Sequence, residues 1–194
     1  MPIQFNLEKL RVDNQCENYF ETGLWDCDDD ISLKLALKCG FEKLYSVEIR
    51  EDLCKKAEEL LSSEKNCERL VIINDDSNFI EKYLVGNQIF DNKTLFFLDA
   101  HVDNVSIKNY TNKCPLFNEI NAIRKLKRND HVICIDDVRI LLNRRPWGED
   151  SYGDINWIEC IKNELLNINK NYTFKYFNGI IENDVLVAYV QLID

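Results

Sequence analysis

The sequence predicts an α/β protein, a three-layer α/β/α sandwich whose seven-stranded sheet is mostly parallel, with the last strand antiparallel. Short runs of apolar, β-branched and aromatic residues alternate with helical patterns along most of the chain. Several runs are apolar on both faces, as is typical of parallel strands that helices cover on both sides. The last two runs have no room for a crossover helix between them, so we expect a hairpin.

Five strands are expected to alternate with helices, and two more to form the closing hairpin. The predicted strands are residues 18–22, 43–48, 70–73, 94–98, 131–135, 172–177 and 185–190. The predicted helices are residues 31–38, 51–62, 79–84, 116–126 and 155–166. Gly40 suits the end of the first helix, because glycine readily adopts the left-handed conformation found there.

A single domain, residues 1–194, accounts for the whole sequence, since no linker or internal repeat divides it. No feature indicates an oligomeric state. No apolar run approaches the roughly 20 residues that span a bilayer, and the first ten residues lack the pattern of a signal peptide. We therefore expect a cytoplasmic protein without a membrane partner. The eight cysteines form no C-x-x-C pair, so reduced thiols are favoured over disulfides or structural zinc.

The net charge of −10 disfavours a long nucleic acid as partner, because binding phosphates requires clustered lysine and arginine. The main basic stretch is residues 124–128. It lies near the end of a predicted helix, where cations complement the helix dipole, and this interpretation is favoured over phosphate binding.

Acidic residues end or follow each of the five strands that alternate with helices. In an open parallel sheet, ligands bind beyond the carboxyl ends of the strands. The chemistry is therefore expected at Glu21, Glu48, Asp75, Asp76, Asp99, Asp136 and Asp137.

The turn Glu21-Thr22-Gly23 and Glu48, at the end of the second strand, suit a cofactor that contains adenosine. An acid at the position of Glu48 commonly accepts from both ribose hydroxyls. A dinucleotide site requires G-x-G-x-x-G, whereas this turn has one glycine and is followed by acids that would repel a pyrophosphate. S-adenosylmethionine carries cationic groups and no phosphate, so it is favoured over NAD, and an NAD-dependent oxidoreductase becomes a weaker alternative.

Asp75, Asp76 and Ser77, after the third strand, have two compatible interpretations. One of the acids accepts from the adenine amino group, or Asp76 or Ser77 caps the next helix.

Asp99 after the fourth strand, with Asp136 and Asp137 after the fifth, would come together if these strands are neighbours. Three carboxylates leave room for water and substrate around Mg²⁺ or another hard divalent cation, which would lower the pKa of an attacking hydroxyl. His101, two residues after Asp99, would then act as a general base. Alternatively, one Asp of the pair only caps a turn, and His101 is an ordinary loop histidine.

Together these motifs resemble the class I, Rossmann-type S-adenosylmethionine-dependent methyltransferases over residues 19–141. The similarity is to a branch in which E-T-G replaces the usual glycine-rich first motif. The matching motifs are E-T-G at 21–23, Y-S-V-E at 45–48, D-S at 76–77, L-D-A-H at 98–101 and I-D-D-V-R at 135–139. Each motif alone is weak, and their combination is fairly specific.

The resemblance implies methyl transfer from S-adenosylmethionine to an oxygen of a sugar, glycan or small hydroxylated acceptor. The cofactor site would comprise Glu21, Thr22, Gly23, Glu48, Asp75, Asp76, Ser77 and Asp99. Metal-dependent O-methyltransferases carry an Asp after the fourth strand and an acidic pair after the fifth, which implies the metal ligands Asp99, Asp136 and Asp137. The catalytic residues would be His101 and Asp99.

The sequence departs from the family pattern in two regions. The first motif lacks its later glycines and has Cys27 and Asp28 there, so the alternative function is a non-catalytic binding module with a decayed cofactor site. The expected acceptor segments, residues 102–114 and 142–154, match no motif. Within the second segment, Trp147 and Tyr152 are expected to stack on a sugar or another ring.

Overall fold

The computed structural model describes residues 3–29, 31–100, 114–142 and 156–191. Within these residues the sheet contains seven strands: β1 (Asn18–Thr22), β2 (Lys43–Glu48), β3 (Leu70–Asn74), β4 (Thr94–Leu98), β5 (Val132–Ile135), β6 (Tyr172–Phe177) and β7 (Val185–Val190). Their order across the sheet is β3-β2-β1-β4-β5-β7-β6. The last strand, β7, runs antiparallel to its neighbours β5 and β6, while β1 to β5 pair in parallel. The predicted sheet is therefore confirmed.

Eight helices lie within the described residues: α1 (Leu7–Asp13), α2 (Ser32–Lys38), α3 (Glu51–Leu60), α4 (Ser62–Asn66), α5 (Glu81–Leu84), α6 (Leu116–Arg124), α7 (Val138–Leu142) and α8 (Trp157–Ile168). Short 3₁₀ helices occupy Ser77–Phe79 and Gln88–Asp91. The sequence patterns predict none of α1, α4 and α7. In α1 only Leu7 and Leu10 are buried, too few for a periodic signal. The helix begins because Asn6 accepts a hydrogen bond of 2.8 Å from the backbone N–H of Lys9.

Helices cover both faces of the sheet, which confirms the three-layer sandwich. Residues of α1, α2 and α3 share one apolar cluster with Tyr19 and Leu44. Residues of α5, α6, α7 and α8 share a second cluster with Phe20 and Phe96 on the other face. Burying one large apolar side chain contributes about 1.5–3 kcal/mol, so the two clusters hold the strands firmly in register.

The parallel register brings the carboxyl ends of four strands to one edge of the sheet. Thr22 pairs with Val47 of β2 and with Leu98 of β4. Leu98 in turn pairs with Ile135 of β5. The residues that come next along these strands lie side by side at this edge, and they are Gly23, Glu48, Asp99 and Asp136.

All eight cysteines are free thiols, as predicted from their spacing. Six of them are buried, and burial raises the pKa of Cys16 to about 12. These buried thiols therefore act as small apolar side chains. In the described part of the chain, no helix combines the length and apolar character needed to cross a membrane.

Candidate cofactor and metal site

The first turn packs directly on the end of β4. Gly23 has a φ of +84°, in the left-handed region that glycine adopts without strain. A Cβ atom at this position would lie 2.7 Å from the carbonyl carbon of Asp99. The backbone N–H of Asp99 donates a hydrogen bond of 3.0 Å to the carbonyl of Thr22. The only residue that fits this turn is therefore glycine, and its position is tied to that of Asp99.

Glu21 lies beneath this turn with no exposed surface. Its carboxylate accepts hydrogen bonds from the hydroxyls of Tyr19 at 2.9 Å, Ser32 at 2.7 Å and Ser46 at 2.7 Å. Burial raises the pKa of Glu21 to about 7, and the three hydroxyls oppose that rise. The carboxylate thus links β1, β2 and the start of α2, and supports the turn from below.

Glu48 is buried and lies at the end of β2, as predicted from the sequence. One carboxylate oxygen accepts from the backbone N–H of Arg50 at 2.9 Å, and the other accepts from that of Trp25 at 3.2 Å. A carboxylate offers about four acceptor positions. Glu48 therefore retains acceptor capacity for two ribose hydroxyls, and the residue present fits the predicted role.

One lysine of α3 offsets part of the negative charge of the acidic loop after Gly23. The Lys56 ammonium lies 2.5 Å from a carboxylate oxygen of Asp26 and 2.5 Å from one of Asp28. The indole N–H of Trp25 donates to Asp29 at 3.3 Å. The repulsion of a pyrophosphate is thus weaker than the sequence alone indicates. The single glycine of the turn disfavours a dinucleotide more strongly than this charge does.

Asp75 and Asp76 have partners within their own segment. The Tyr83 hydroxyl donates to Asp75 at 2.6 Å, and Lys82 forms an ion pair with the same carboxylate. Burial raises the pKa of Asp75, but the contacts with Lys82 and Tyr83 outweigh it and hold that pKa below its ordinary value. Asp76 caps the 3₁₀ helix, accepting from the backbone N–H of Asn78 at 2.9 Å. The predicted capping role of Asp76 is confirmed, and adenine contact stays a prediction.

Three carboxylates meet where β4 and β5 end. One oxygen each from Asp99, Asp136 and Asp137 lies within 4.8 Å of the others. Asp136 and Asp137 are buried, and Asp99 is half-buried. Asp137 adopts a φ of +59°, which aspartate tolerates better than most residues. Like charges this close repel each other and favour a cation, and three oxygen donors suit a hard divalent ion. The donor set therefore fits the predicted metal.

Two further residues join this carboxylate group, and neither has a role predicted from the sequence. The Arg139 guanidinium lies 2.7 Å from Asp137 Oδ1 and also forms an ion pair with Asp184. Asp184 directly precedes β7 and is buried. Arg139 falls within the I-D-D-V-R motif, whereas Asp184 stands 45 residues later and gives no local signal.

Comparison with known proteins rests on structure alone. No family profile and no curated protein sequence matches the chain. An O-methyltransferase from Bacillus cereus, solved with SAH, superposes with a TM-score of 0.61 at 14% identity, over 95% of this chain and 78% of that one. The O-methyltransferase TomG from Streptomyces achromogenes, solved with SAM, gives a TM-score of 0.59 at 14% identity, over 96% and 78%. The fold is that of the class I S-adenosylmethionine-dependent methyltransferases.

A third protein with this class I methyltransferase fold is a putative caffeoyl-CoA O-methyltransferase from Staphylococcus aureus. It matches with a TM-score of 0.53 at 12% identity, over 97% of this chain and 85% of that one. At identities this low, the superpositions establish the fold alone. The function has to be inferred from the site.

The predicted base and most of the predicted acceptor segments lie outside the described residues. His101 belongs to the first gap, residues 101–113, and Trp147 and Tyr152 belong to the second, residues 143–155. Their roles within the class I methyltransferase fold stay predictions. Asp99, two residues before His101, is described.

The basic stretch at residues 124–128 lies at and beyond the end of α6, as expected for a helix terminus. Each of its four cations is near an acid: Arg124 with Glu164, Lys125 with Glu81, Lys127 with Asp91, and Arg128 with Asp130. These pairs neutralise the stretch, which supports the helix-terminus interpretation over phosphate binding.

Proposed function

We propose that the protein is an S-adenosylmethionine-dependent O-methyltransferase that acts on a sugar, a glycan or a small hydroxylated acceptor with the help of a divalent cation. The observation that carries this proposal is the position of Asp99. Its backbone packs against Gly23 of the cofactor turn, and its carboxylate belongs to the three-carboxylate group. One residue thus borders both the predicted methyl donor and the predicted metal.

The cofactor-facing residues have distinct roles in this proposal. When bound, S-adenosylmethionine would supply a sulfonium methyl group for transfer to an acceptor oxygen, and it would leave as S-adenosylhomocysteine. Glu48 accepts from the ribose hydroxyls, and Asp75 or Asp76 accepts from the adenine amino group. Gly23 lets the backbone approach the cofactor closely. Glu21 and Thr22 support the turn. The SAH and SAM bound to the proteins of similar fold support this assignment.

The acceptor side of the reaction involves the carboxylates and the predicted base. Asp99, Asp136 and Asp137 would hold Mg²⁺ or another divalent cation, which would supply Lewis-acid chemistry that lowers the pKa of an acceptor hydroxyl. His101 accepts the proton that this hydroxyl loses. Catalysis comes mainly from positioning and charge neutralisation.

The alternative, a non-catalytic binding module, also has an observation in its favour. Trp25 has a φ of +61°, a conformation that is unusual for a bulky residue, and its segment lacks the glycines of the usual first motif. Because that motif contacts the cofactor, these departures favour a protein that has lost cofactor binding. Binding of cofactor distinguishes the two functions before any acceptor is known.

The test is isothermal titration of the purified protein with S-adenosylhomocysteine, with and without Mg²⁺. Saturable binding near one equivalent is expected, and Glu48→Gln should weaken it at least tenfold. Glu42→Gln removes an exposed carboxylate elsewhere and should leave it unchanged. A screen of sugars and small hydroxylated compounds with S-adenosylmethionine, with Mg²⁺ or with EDTA, then identifies the acceptor. No binding under either condition contradicts the proposal and favours the binding module.

A further inference from the structure

The three-carboxylate group already has a cation of the chain beside it. The Arg139 guanidinium contacts Asp137 Oδ1 at 2.7 Å. A fixed positive charge this close stabilises the carboxylate group but repels any divalent ion that would share it. On its own, this arginine would weaken a metal site.

Asp184 holds the other side of the same guanidinium. Its side chain has no exposed surface. Its Oδ1 accepts from the backbone N–H of Arg139 at 3.1 Å, and its Oδ2 pairs with the guanidinium. Its carbonyl oxygen accepts from the backbone N–H of Val138 at 2.8 Å. Asp184 is therefore bound at several points to the first turn of α7, directly after Asp137.

Gly179, in the loop between β6 and β7, packs against both Asp184 and Asp136. A Cβ atom on Gly179 would lie 3.1 Å from Asp184 Oδ2 and 3.3 Å from Asp136 Oδ1. The two carboxylates thus lie close to the same backbone atom. The position of Asp184 relative to the metal-binding carboxylates is fixed by tight packing, not by a single ion pair.

The charges of these residues have a simple consequence. Arg139 and Asp184 together are neutral, so the pair can orient Asp137 without consuming its negative charge. Three net negative charges then remain for a divalent ion. Without Asp184, Arg139 would pair with Asp137 alone, and the divalent ion would meet an uncompensated positive charge in a poorly solvated place.

We propose that Asp184 is a positioning residue for the metal site, which neutralises Arg139 so that Asp137 stays available to a divalent cation. This inference rests on the metal-assisted part of the proposed function. It predicts opposite effects for the two partners. Removing the charge of Asp184 weakens metal binding, whereas removing the charge of Arg139 does not.

The experiment measures Mn²⁺ binding by electron paramagnetic resonance without cofactor or acceptor. We expect Asp184→Asn to weaken Mn²⁺ at least tenfold, Arg139→Gln to bind it as tightly as the wild type or more tightly, and the double variant to lie within about threefold of the wild type. Asp13→Asn removes an exposed, ion-paired carboxylate of α1 and serves as the matched control. Titration with S-adenosylhomocysteine in parallel should give the wild-type affinity for every variant.

Three results would overturn the inference. If Arg139→Gln weakens Mn²⁺ tenfold or more, the pair serves to hold the structure, and this result decides the question even if Asp184→Asn does not fold. Wild-type affinity in a folded Asp184→Asn variant would contradict it as well. If the wild type binds S-adenosylhomocysteine but no Mn²⁺, the metal site and this inference are both wrong, while the methyltransferase proposal stands.

Discussion

The imidazole Nδ1 of His131 accepts a hydrogen bond of 3.1 Å from the backbone N–H of Thr94, so a fully buried histidine joins the start of β5 to the start of β4. A nitrogen that accepts carries no proton, so the ring is neutral. Its edge meets the Phe96 ring at a centroid distance of 5.2 Å. Burial, together with the nearby Arg128, lowers the pKa of His131 to about 4.

We therefore expect His131 to make the protein sensitive to acid. The unfolded chain binds a proton near pH 6.5 and the folded chain only near pH 4, so the free energy of unfolding falls as the pH drops through this interval. The loss attributable to His131 is roughly 3 kcal/mol. Urea unfolding at pH 7.5 and pH 4.5 measures it. In a folded His131→Gln variant this part of the pH dependence should vanish, and an unchanged slope would show that other groups cause it.

Glu21 should act in the opposite direction. Its folded pKa of about 7 lies above the ordinary value of 4.5, so it contributes stability at low pH that is lost as the pH rises from 4.5 to about 7. The difference in the free energy of unfolding between wild type and Glu21→Gln should shift by roughly 3 kcal/mol across that interval, in favour of the variant at higher pH. Urea unfolding of both proteins from pH 4.5 to 8 checks this. A constant difference would show that Glu21 is ionised throughout.

Gly23→Ala should disrupt the cofactor turn, because its Cβ would overlap the backbone of Asp99. Gly86→Ala is the matched control, since Gly86 has a φ of +83° and a Cβ there meets no atom within 4 Å. In the control, the free energy of unfolding should fall by only about 1 kcal/mol, because alanine is strained in the left-handed conformation. Its affinity for S-adenosylhomocysteine should equal that of the wild type. Gly23→Ala should lose about 1–3 kcal/mol more and bind at least tenfold more weakly. Thermal unfolding and titration measure both, and equal behaviour of the two variants would refute the argument from close packing.

Asp136→Asn should weaken metal binding without weakening cofactor binding. It removes one of the three carboxylate charges, so Mn²⁺ affinity should fall at least tenfold, and EDTA should reduce methyl transfer by the wild type. Affinity for S-adenosylhomocysteine without metal should stay within about twofold, because Asp136 faces the acceptor side in the proposed mechanism. Asp91→Asn, at an exposed ion pair with Lys127, is the control. Full activity of the wild type in EDTA would show that no metal takes part.

The fold and the acidic edge of the sheet could be predicted because both follow from local patterns. Apolar runs such as residues 94–98 reveal a buried strand, and parallel strands necessarily place the following acids at one edge. The Arg139–Asp184 pair could not be predicted in this way, because it depends on how the hairpin packs against α7. The pairing of Lys56 with Asp26 and Asp28 is a similar case, since α3 brings that lysine from about thirty residues away.

The reversed direction of β7 has a consequence for how the chain completes its site. A parallel strand presents its end at the acidic edge, whereas β7 presents its beginning there, since Leu186 pairs with Ile135. Residues near positions 23 and 184, far apart in the sequence, therefore converge on the surface at this edge of the sheet. A fragment that ended after α8 would retain the five parallel strands yet lack one wall of this surface.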